Sequence, residues 1–218
     1  IMSGDWSSDV CSSDLEKALE NAKELSKTRI FAGNLFSKNV CEELRFLDMP
    51  SVRFAVDIKD CPLCENGIDK VEFLLSANVG EDLKPLSKIA SGGELSRIML
   101  AIKSVLSEKD GISTLVFDEI DTGVSGSAAQ KIAVKLKQVS HSHQVICVTH
   151  LAQIAAYADE HLFISKSEHD GQTYTELKSL SFDERKSELA RIMGGFEVTS
   201  AMLESAEQML LSANKVDK

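Results

Sequence analysis

Two adjacent carboxylates, Asp118 and Glu119, close a short apolar run, Thr114 to Phe117. Asp118 suits a magnesium shell, directly or through water, because that ion is hard and prefers oxygen. Glu119 suits the orientation or deprotonation of an attacking water. Further on, a second apolar run, Gln144 to Thr149, ends in His150, which could bond a terminal phosphate or the same water. The plainer readings are a solvated strand end for the pair and an ordinary loop residue for the histidine. Upstream lies Ser91-Gly92-Gly93-Glu94. Ser91 with Glu94 three residues later is a capping-box pattern at a helix start. Gly92 and Gly93 cost helix stability there. Bare backbone at a helix N-terminus lets an oxyanion approach outward-pointing amides at the positive end of the dipole. The alternative is a glycine-containing helix start with no ligand.

These residues need elements to hold them. Leu95, Ile98, Met99, Ile102, Val105 and Leu106 recur at helical spacing, predicting a helix from Gly92 to about Ser107 that buries this face. Thr114 to Phe117 reads as a strand buried on both faces of a parallel sheet. Acids delivered at the C-terminal end of such a strand lie where open α/β sheets bind ligands. Ser125 to Val139 reads as the intervening helix, with Ala128, Ala129, Ile132, Val134 and Leu136 partly buried. Asp121 reads most simply as a solvated turn residue.

The motifs in order are Ser91-Gly92-Gly93-Glu94, then Leu115-Val116-Phe117-Asp118-Glu119, then Asp121-Thr122-Gly123, then Val148-Thr149-His150. This series resembles an ABC-type ATPase head: signature loop, Walker B, D-loop and switch histidine. Glu94 resembles the structural-maintenance-of-chromosomes (SMC) branch. The longer phrases Ile89 to Ile98, Phe117 to Gly126 and Val148 to Ala155 resemble the bacterial DNA-repair ATPases of the RecN family, over roughly residues 16–212 and matching only that family's C-terminal half. The resemblance implies an α/β fold: one lobe of a P-loop ATPase head, a mixed sheet flanked by helices, with an N-terminal helix from a coiled coil. It implies ATP and Mg2+ as cofactors. The signature at Ser91, Gly92, Gly93 and Glu94 would close over the nucleotide of a second head, and Asp118 would support magnesium. Glu119 would act on water, Asp121 would contact the partner head and His150 would sense the γ-phosphate. The implied partners are an N-terminal ATPase lobe, a second head in a homodimer, and DNA through the full-length protein.

No G-x-x-x-x-G-K-[ST] occurs in the 218 residues, and Gly123-Val124-Ser125-Gly126 lacks the following Lys-Ser or Lys-Thr. A chain without that loop is not expected to cradle a β-phosphate or hold ATP tightly alone. The net charge of −10 argues against nucleic-acid binding over the whole surface. Lys131, Lys135 and Lys137 form a local basic stretch that reads as a solvated helix face. Five cysteines give no disulfide framework and fit a reducing cytosol. Cys61-Pro62-Leu63-Cys64 is half of a tetrahedral zinc site, with an ordinary turn between strands as the simpler reading. No apolar run approaches the ~20 residues of a membrane span, so no membrane partner is expected, and the resemblance implies a cytoplasmic, nucleoid-associated location.

Residues 1–14 carry a near repeat, Ser7-Ser8-Asp9-Val10 and Ser12-Ser13-Asp14-Leu15, and read as a non-native or disordered leader. Residues 15–49 read as the helical end of a coiled-coil arm, broken near Gly33-Asn34, burying Leu35, Phe36, Leu44 and Phe46. Residues 50–218 read as the head lobe. It begins with antiparallel strands Ser51–Lys59 and Lys70–Ala77. After His150 it continues with a short helix, a hairpin turning at Asp170-Gly171, a capped helix from Ser181 to Gly194-Gly195, and a last helix from Thr199 to about Ala213. Two other functions fit the same residues. One is the ATPase half of a membrane transporter. The other is a non-catalytic lobe that only docks protein partners.

Overall fold

The computed structural model describes residues 6–78, 80–88, 91–106, 110–169, 172–195 and 197–214. The chain packs as two compact units, Ile1–Ala90 and Ser91–Lys218. The division falls after the first sheet, whereas the reading of 15–49 as arm and 50–218 as lobe drew a boundary where the long helix ends.

The first unit is one long helix on a small sheet. Helix α1 runs unbroken over Trp6–Phe46, so it starts inside the stretch read as a leader and passes straight through Gly33. The expected break is overturned by packing. A Cβ on Gly33 would lie 3.3 Å from Val56 Cβ and Cγ1 and 3.4 Å from Ile58 Cδ1. The glycine therefore marks a close crossing over strand β1 (Arg53–Cys64), whose contacts offset the ~1 kcal/mol propensity cost. Strand β2 (Gly67–Ser76) pairs antiparallel with β1, and the two-residue strand β3 (Lys84–Pro85) joins at Leu74 and Leu75. The register sets Phe54 opposite Leu75, Val56 opposite Phe73 and Ile58 opposite Val71, the alternation expected from the sequence. Phe36 of α1 completes a trio with Phe54 and Phe73, ring centroids 5.6–5.8 Å apart. The stripe that meets the sheet includes Ala22, Val40 and Leu44, all buried. Leu35 and Phe46, expected inside, lie with Phe31 on the opposite side of the helix and are exposed.

Asp69 of β2 anchors α1 from the side, and sequence reading missed it. It accepts from Ser26 Oγ at 2.7 Å and pairs with Arg29 at 3.1 Å, its side chain fully buried. Cys61 and Cys64 lie at the end of β1 beside a register shift, before the tight turn to Gly67 at φ +98°. No cluster of three metal-ligating side chains occurs among the described residues.

The second unit carries the motifs. Helix α2 (Gly92–Leu106) is followed by strand β4 (Thr114–Phe117), helix α3 (Gly126–Ser140) and strand β5 (Gln144–Cys147). Ser107, the expected end of α2, lies outside the described residues. β4 and β5 are parallel, pairing Thr114 with Gln144 through Phe117 with Cys147. Leu115 and Phe117 face inward with Ile98, Leu100, Ala101, Ile132 and Leu136. Burial on both faces is not found: Val116 is 67% exposed, and Ile146 and Val148 are about half exposed on the same side. Apolar residues run continuously along β4, but the described residues of this unit cover only one face of the sheet.

At the far edge of the β4–β5 pair, Asp110 takes the Lys103 ammonium, accepts from the backbone N–H of Ile112 at 3.2 Å, and faces His143 Nε2 at 3.6 Å. His143 is therefore a buried structural residue. Helix α4 (Ala152–Ala155) leads to the antiparallel hairpin of β6 (Leu162–His169) and β7 (Gln172–Ser179); its expected turn at Asp170-Gly171 lies outside the described residues. Helix α5 (Phe182–Gly194) opens on the expected Ser181–Glu184 capping box and ends at Gly195, φ +67°. Helix α6 (Ser200–Ala213) packs against α5 and α4 around Leu189, Ala190, Ala206 and Leu210, with Met202 and Met209 filling the edge.

Candidate functional site

The site lies where β4 and β5 end beside the first turn of α2. The Ser91 hydroxyl accepts from the Glu94 N–H at 3.4 Å, the forward half of the capping box. Two further residues of the same helix, quoted within the motif but given no role from the sequence, grip the loop after β4. Ser96 Oγ donates to the Asp118 carbonyl at 2.7 Å. Arg97 donates to the Ile120 and Thr122 carbonyls at 3.2 and 3.0 Å, and burial holds its guanidinium below its usual range. Their signal was present: a Ser and an Arg one turn into a helix, just after a glycine pair.

This grip gives the glycines a second reason. A Cβ on Gly93 would stand 2.9 Å from Thr122 Cβ and 3.0 Å from the Glu119 carbonyl. Gly93 thus admits the loop's own backbone. Gly92 is exposed, and a Cβ there would collide with Glu119 Oε2. The Glu119 carboxylate therefore lies over the open first turn of α2, where the helix dipole favours negative charge. Glu119 holds φ +57°, a left-handed conformation uncommon outside glycine, which turns the chain sharply after the strand.

Asp118 is exposed, and its Oδ1 accepts from the Glu119 N–H at 2.9 Å. Its Oδ2 has no hydrogen-bond partner among the described residues. One open carboxylate oxygen fits magnesium, which keeps several waters and takes one or two carboxylates beside substrate phosphates. His150 lies across the strand pair with its side chain 73% exposed. Continuing the strand alternation, Asp118 and His150 fall on the side of Val116, Ile146 and Val148, the face this chain leaves open.

Asp121 is neither solvated nor directed outward. It is 3% exposed, and its Oδ2 accepts from Thr149 Oγ1 at 2.5 Å and from the His150 N–H at 2.9 Å, with His150 Nδ1 at 3.1 Å. The side chain expected to reach a partner head is committed within its own chain, because a buried carboxylate needs donors. Cys147, beside this network, has its thiol pushed up to about 12 by burial, with the charges of Asp121 and Asp118 adding. The basic stretch on α3 does not form an open patch: Lys135 is buried and Lys137 pairs with Asp159.

The geometry sets Gly92 and Gly93 against Glu119 and Thr122, ties Ser96 and Arg97 to the carbonyls of Asp118, Ile120 and Thr122, and joins Asp121 to His150. No protein-family model matches the chain. The chain is 53% identical over 154 residues to the DNA repair protein RecN of Bacillus subtilis, covering 71% of the chain and 27% of that protein. It is 45% identical over 185 residues to RecN of Halalkalibacterium halodurans, covering 83% and 33%. RecN of Treponema pallidum is 41% identical over 203 residues, covering 90% and 35%. The chain is homologous to part of RecN. It spans about a third of the length of these curated relatives. Among solved structures, an Smc head domain with coiled coil and joint from Pyrococcus yayanosii matches 83% of the chain and 34% of its own, with TM-score 0.56 and 24% identity. An Smc head domain with extended coiled coil from Pyrococcus furiosus, bound to the C-terminal domain of ScpA, matches 84% and 44%, with TM-score 0.53 and 24% identity. The RecN-type stretch therefore has the α/β fold of an SMC head lobe. No helix among the described residues is long and apolar enough to cross a membrane.

Proposed function

We propose that this RecN-type chain is the C-terminal lobe of an ATP-hydrolysing, SMC-like head that acts in DNA double-strand break repair and recombination. One observation carries the reading. Asp118, Glu119 and His150 gather at the C-terminal ends of two parallel strands, beside a helix start where Gly92 leaves room for the Glu119 carboxylate. The relatives' name as DNA repair proteins supports the process.

In this reading the chain's own residues divide the work. Ser91, Gly92, Gly93 and Glu94 offer a hydroxyl and bare amides to the phosphates of a nucleotide held by a second head. Asp118 offers an oxygen ligand to magnesium, which when bound would neutralise charge on the phosphate oxygens. Glu119 leaves the first turn of α2 and takes or orients the proton of the attacking water. His150 faces the same space from the neighbouring strand, and the loop meets the second head through exposed Thr122 and Gly123. The phosphate loop is assigned to an N-terminal lobe, since the 218 residues contain no such pattern. DNA is assigned to the full-length protein, α1 to the coiled-coil arm, and the location to the cytoplasm at the nucleoid.

The second reading, a docking lobe without turnover, is favoured by the open apolar face at Val116, Ile146 and Val148. ATP turnover separates the two. The chain alone is expected to be silent, the chain mixed with a separately expressed N-terminal lobe active, and the mixture carrying Glu119→Gln nearly inactive yet still able to dimerise with ATP. Silence on mixing sinks the enzymatic reading, and normal turnover by Glu119→Gln sinks the role of Glu119.

A further inference from the structure

We propose that Asp121 is the positioning residue for His150. Its Oδ2 fixes the imidazole with the proton on Nδ1, so that Nε2 presents a lone pair to the open side of the sheet. The proposal rests on the reading of Asp118, Glu119 and His150 as the hydrolytic edge, and deepens it.

A carboxylate oxygen only accepts, so standing 3.1 Å from Asp121 Oδ2 favours the proton on the facing ring nitrogen, Nδ1, over a lone pair there. The same oxygen takes the backbone N–H of His150 at 2.9 Å. The main chain is thus hydrogen-bonded to the atom that the ring nitrogen stands against, and turning the ring gives up that close approach. Thr149 adds a third contact. Its Oγ1 accepts from the Leu151 N–H at 3.1 Å, which leaves the hydroxyl proton to point at Asp121 Oδ2, 2.5 Å away.

Asp121 is itself held firmly. Its carbonyl accepts from Val124 N–H at 3.1 Å, and Arg97 ties the carbonyls of its two neighbours, Ile120 and Thr122. An anchored, 3%-exposed carboxylate therefore steers a 73%-exposed imidazole. The consequence is chemical. A neutral ring in this tautomer accepts a hydrogen bond through Nε2, so it can orient a water or hydroxyl group by its O–H. It donates to a phosphate oxygen only when it carries a second proton. Support of this kind fixes tautomer and ring orientation in the manner of carboxylates behind metal-bound histidines.

The test reads the tautomer directly. The 218-residue chain, labelled with 15N-histidine, is examined by long-range 1H–15N correlation at about pH 8, where an ordinary histidine is neutral. His150→Gln assigns the signal. His150 is expected as the Nδ1–H form, against the Nε2–H form that solvated imidazoles favour. Asp121→Ala should return it to mainly Nε2–H, while Asp121→Asn, whose amide oxygen still accepts, should keep Nδ1–H. A wild-type His150 in the Nε2–H form overturns the proposal, as does an unchanged tautomer in a folded Asp121→Ala chain with dispersed amide signals. If that variant does not fold, the wild-type and Asn spectra decide. In the reconstituted head, Asp121→Ala should lower kcat by about 10-fold or more, with KM for ATP moving less than about twofold, and Asp121→Asn should recover most of it. The spectra need no nucleotide, so failure of hydrolysis and failure of the tautomer are separate results.

Discussion

At Gly93 two effects oppose each other. An alanine gains up to about 1 kcal/mol of helix propensity. Its Cβ would stand 2.9 Å from Thr122 Cβ and 3.0 Å from a backbone carbonyl, neither of which yields easily. Overpacking of that kind costs about 1–3 kcal/mol. Gly93→Ala is therefore expected to lose about 1 kcal/mol in urea denaturation, and a gain would refute the steric account. At Gly92 the obstructing atom is the end of the flexible Glu119 side chain, so Gly92→Ala should be neutral or slightly stabilising. Asp110 gives a second prediction. The Lys103 ammonium, then the Ile112 N–H and His143, hold its carboxyl at about 2, below the usual 3.8. The depressed pKa belongs to the folded state. Its contribution is thus full above pH ~4 and disappears as pH falls towards ~2. Denaturation midpoints measured from about pH 6 to about pH 2.5 should fall across that window in the wild type and fall less in Asp110→Asn. Sequence reading singled out Ser91 through Glu94, Asp118, Glu119, Asp121 and His150 because each sits at a motif position. Ser96, Arg97, Asp110 and the inward turn of Asp121 stayed hidden, since each is defined by a partner distant in sequence.

Among the elements, period was legible and environment was not. The alternation of Val52, Phe54, Val56 and Ile58 indicated a half-buried strand, and the register with Leu75, Phe73 and Val71 agrees. The α1 pattern was readable as helix, yet Gly33 was assigned a break because propensity alone carries no information about a strand crossing at that point. The unbroken apolar run at β4 suggested two covered faces, and the described residues of its unit cover one. The aromatic trio states what holds the first unit. Phe54 is 5% exposed and touches both Phe36 and Phe73. Phe54→Ala removes both ring contacts and leaves a cavity, with an expected cost of about 3–5 kcal/mol. Because Phe54 lies in the first compact unit, amide hydrogen exchange should accelerate along β1 and β2 while the amides of β4 and β5 keep their protection. Equal acceleration in both units would mean that they unfold together.

For the whole molecule, the open side of the β4–β5 pair is where structure and proposed activity meet. Val116 pairs with Ile146 in register, Val148 follows, and all three are exposed while Leu115 and Phe117 behind them are buried. Apolar side chains left on one face of a two-stranded sheet favour association with whatever covers them. The same face carries Asp118 and His150 at its edge, so a covering lobe would bring its nucleotide to those two residues. Val116→Lys distinguishes this arrangement from a sheet that is simply exposed. Val116 makes little use of the core, so the variant is expected to fold with a stability change within about 0.5 kcal/mol, as surface substitutions usually do. It should also show less self-association by sedimentation than the wild-type chain. Burying an unpaired ammonium under a covering lobe costs several kcal/mol. The lysine should therefore weaken binding of a separately expressed N-terminal lobe by about 100-fold or more, since 1.4 kcal/mol is tenfold. Turnover by the mixture should fall in parallel and recover as lobe concentration is raised. Unchanged affinity in a folded Val116→Lys chain would place the proposed N-terminal lobe elsewhere and leave this face to a different partner.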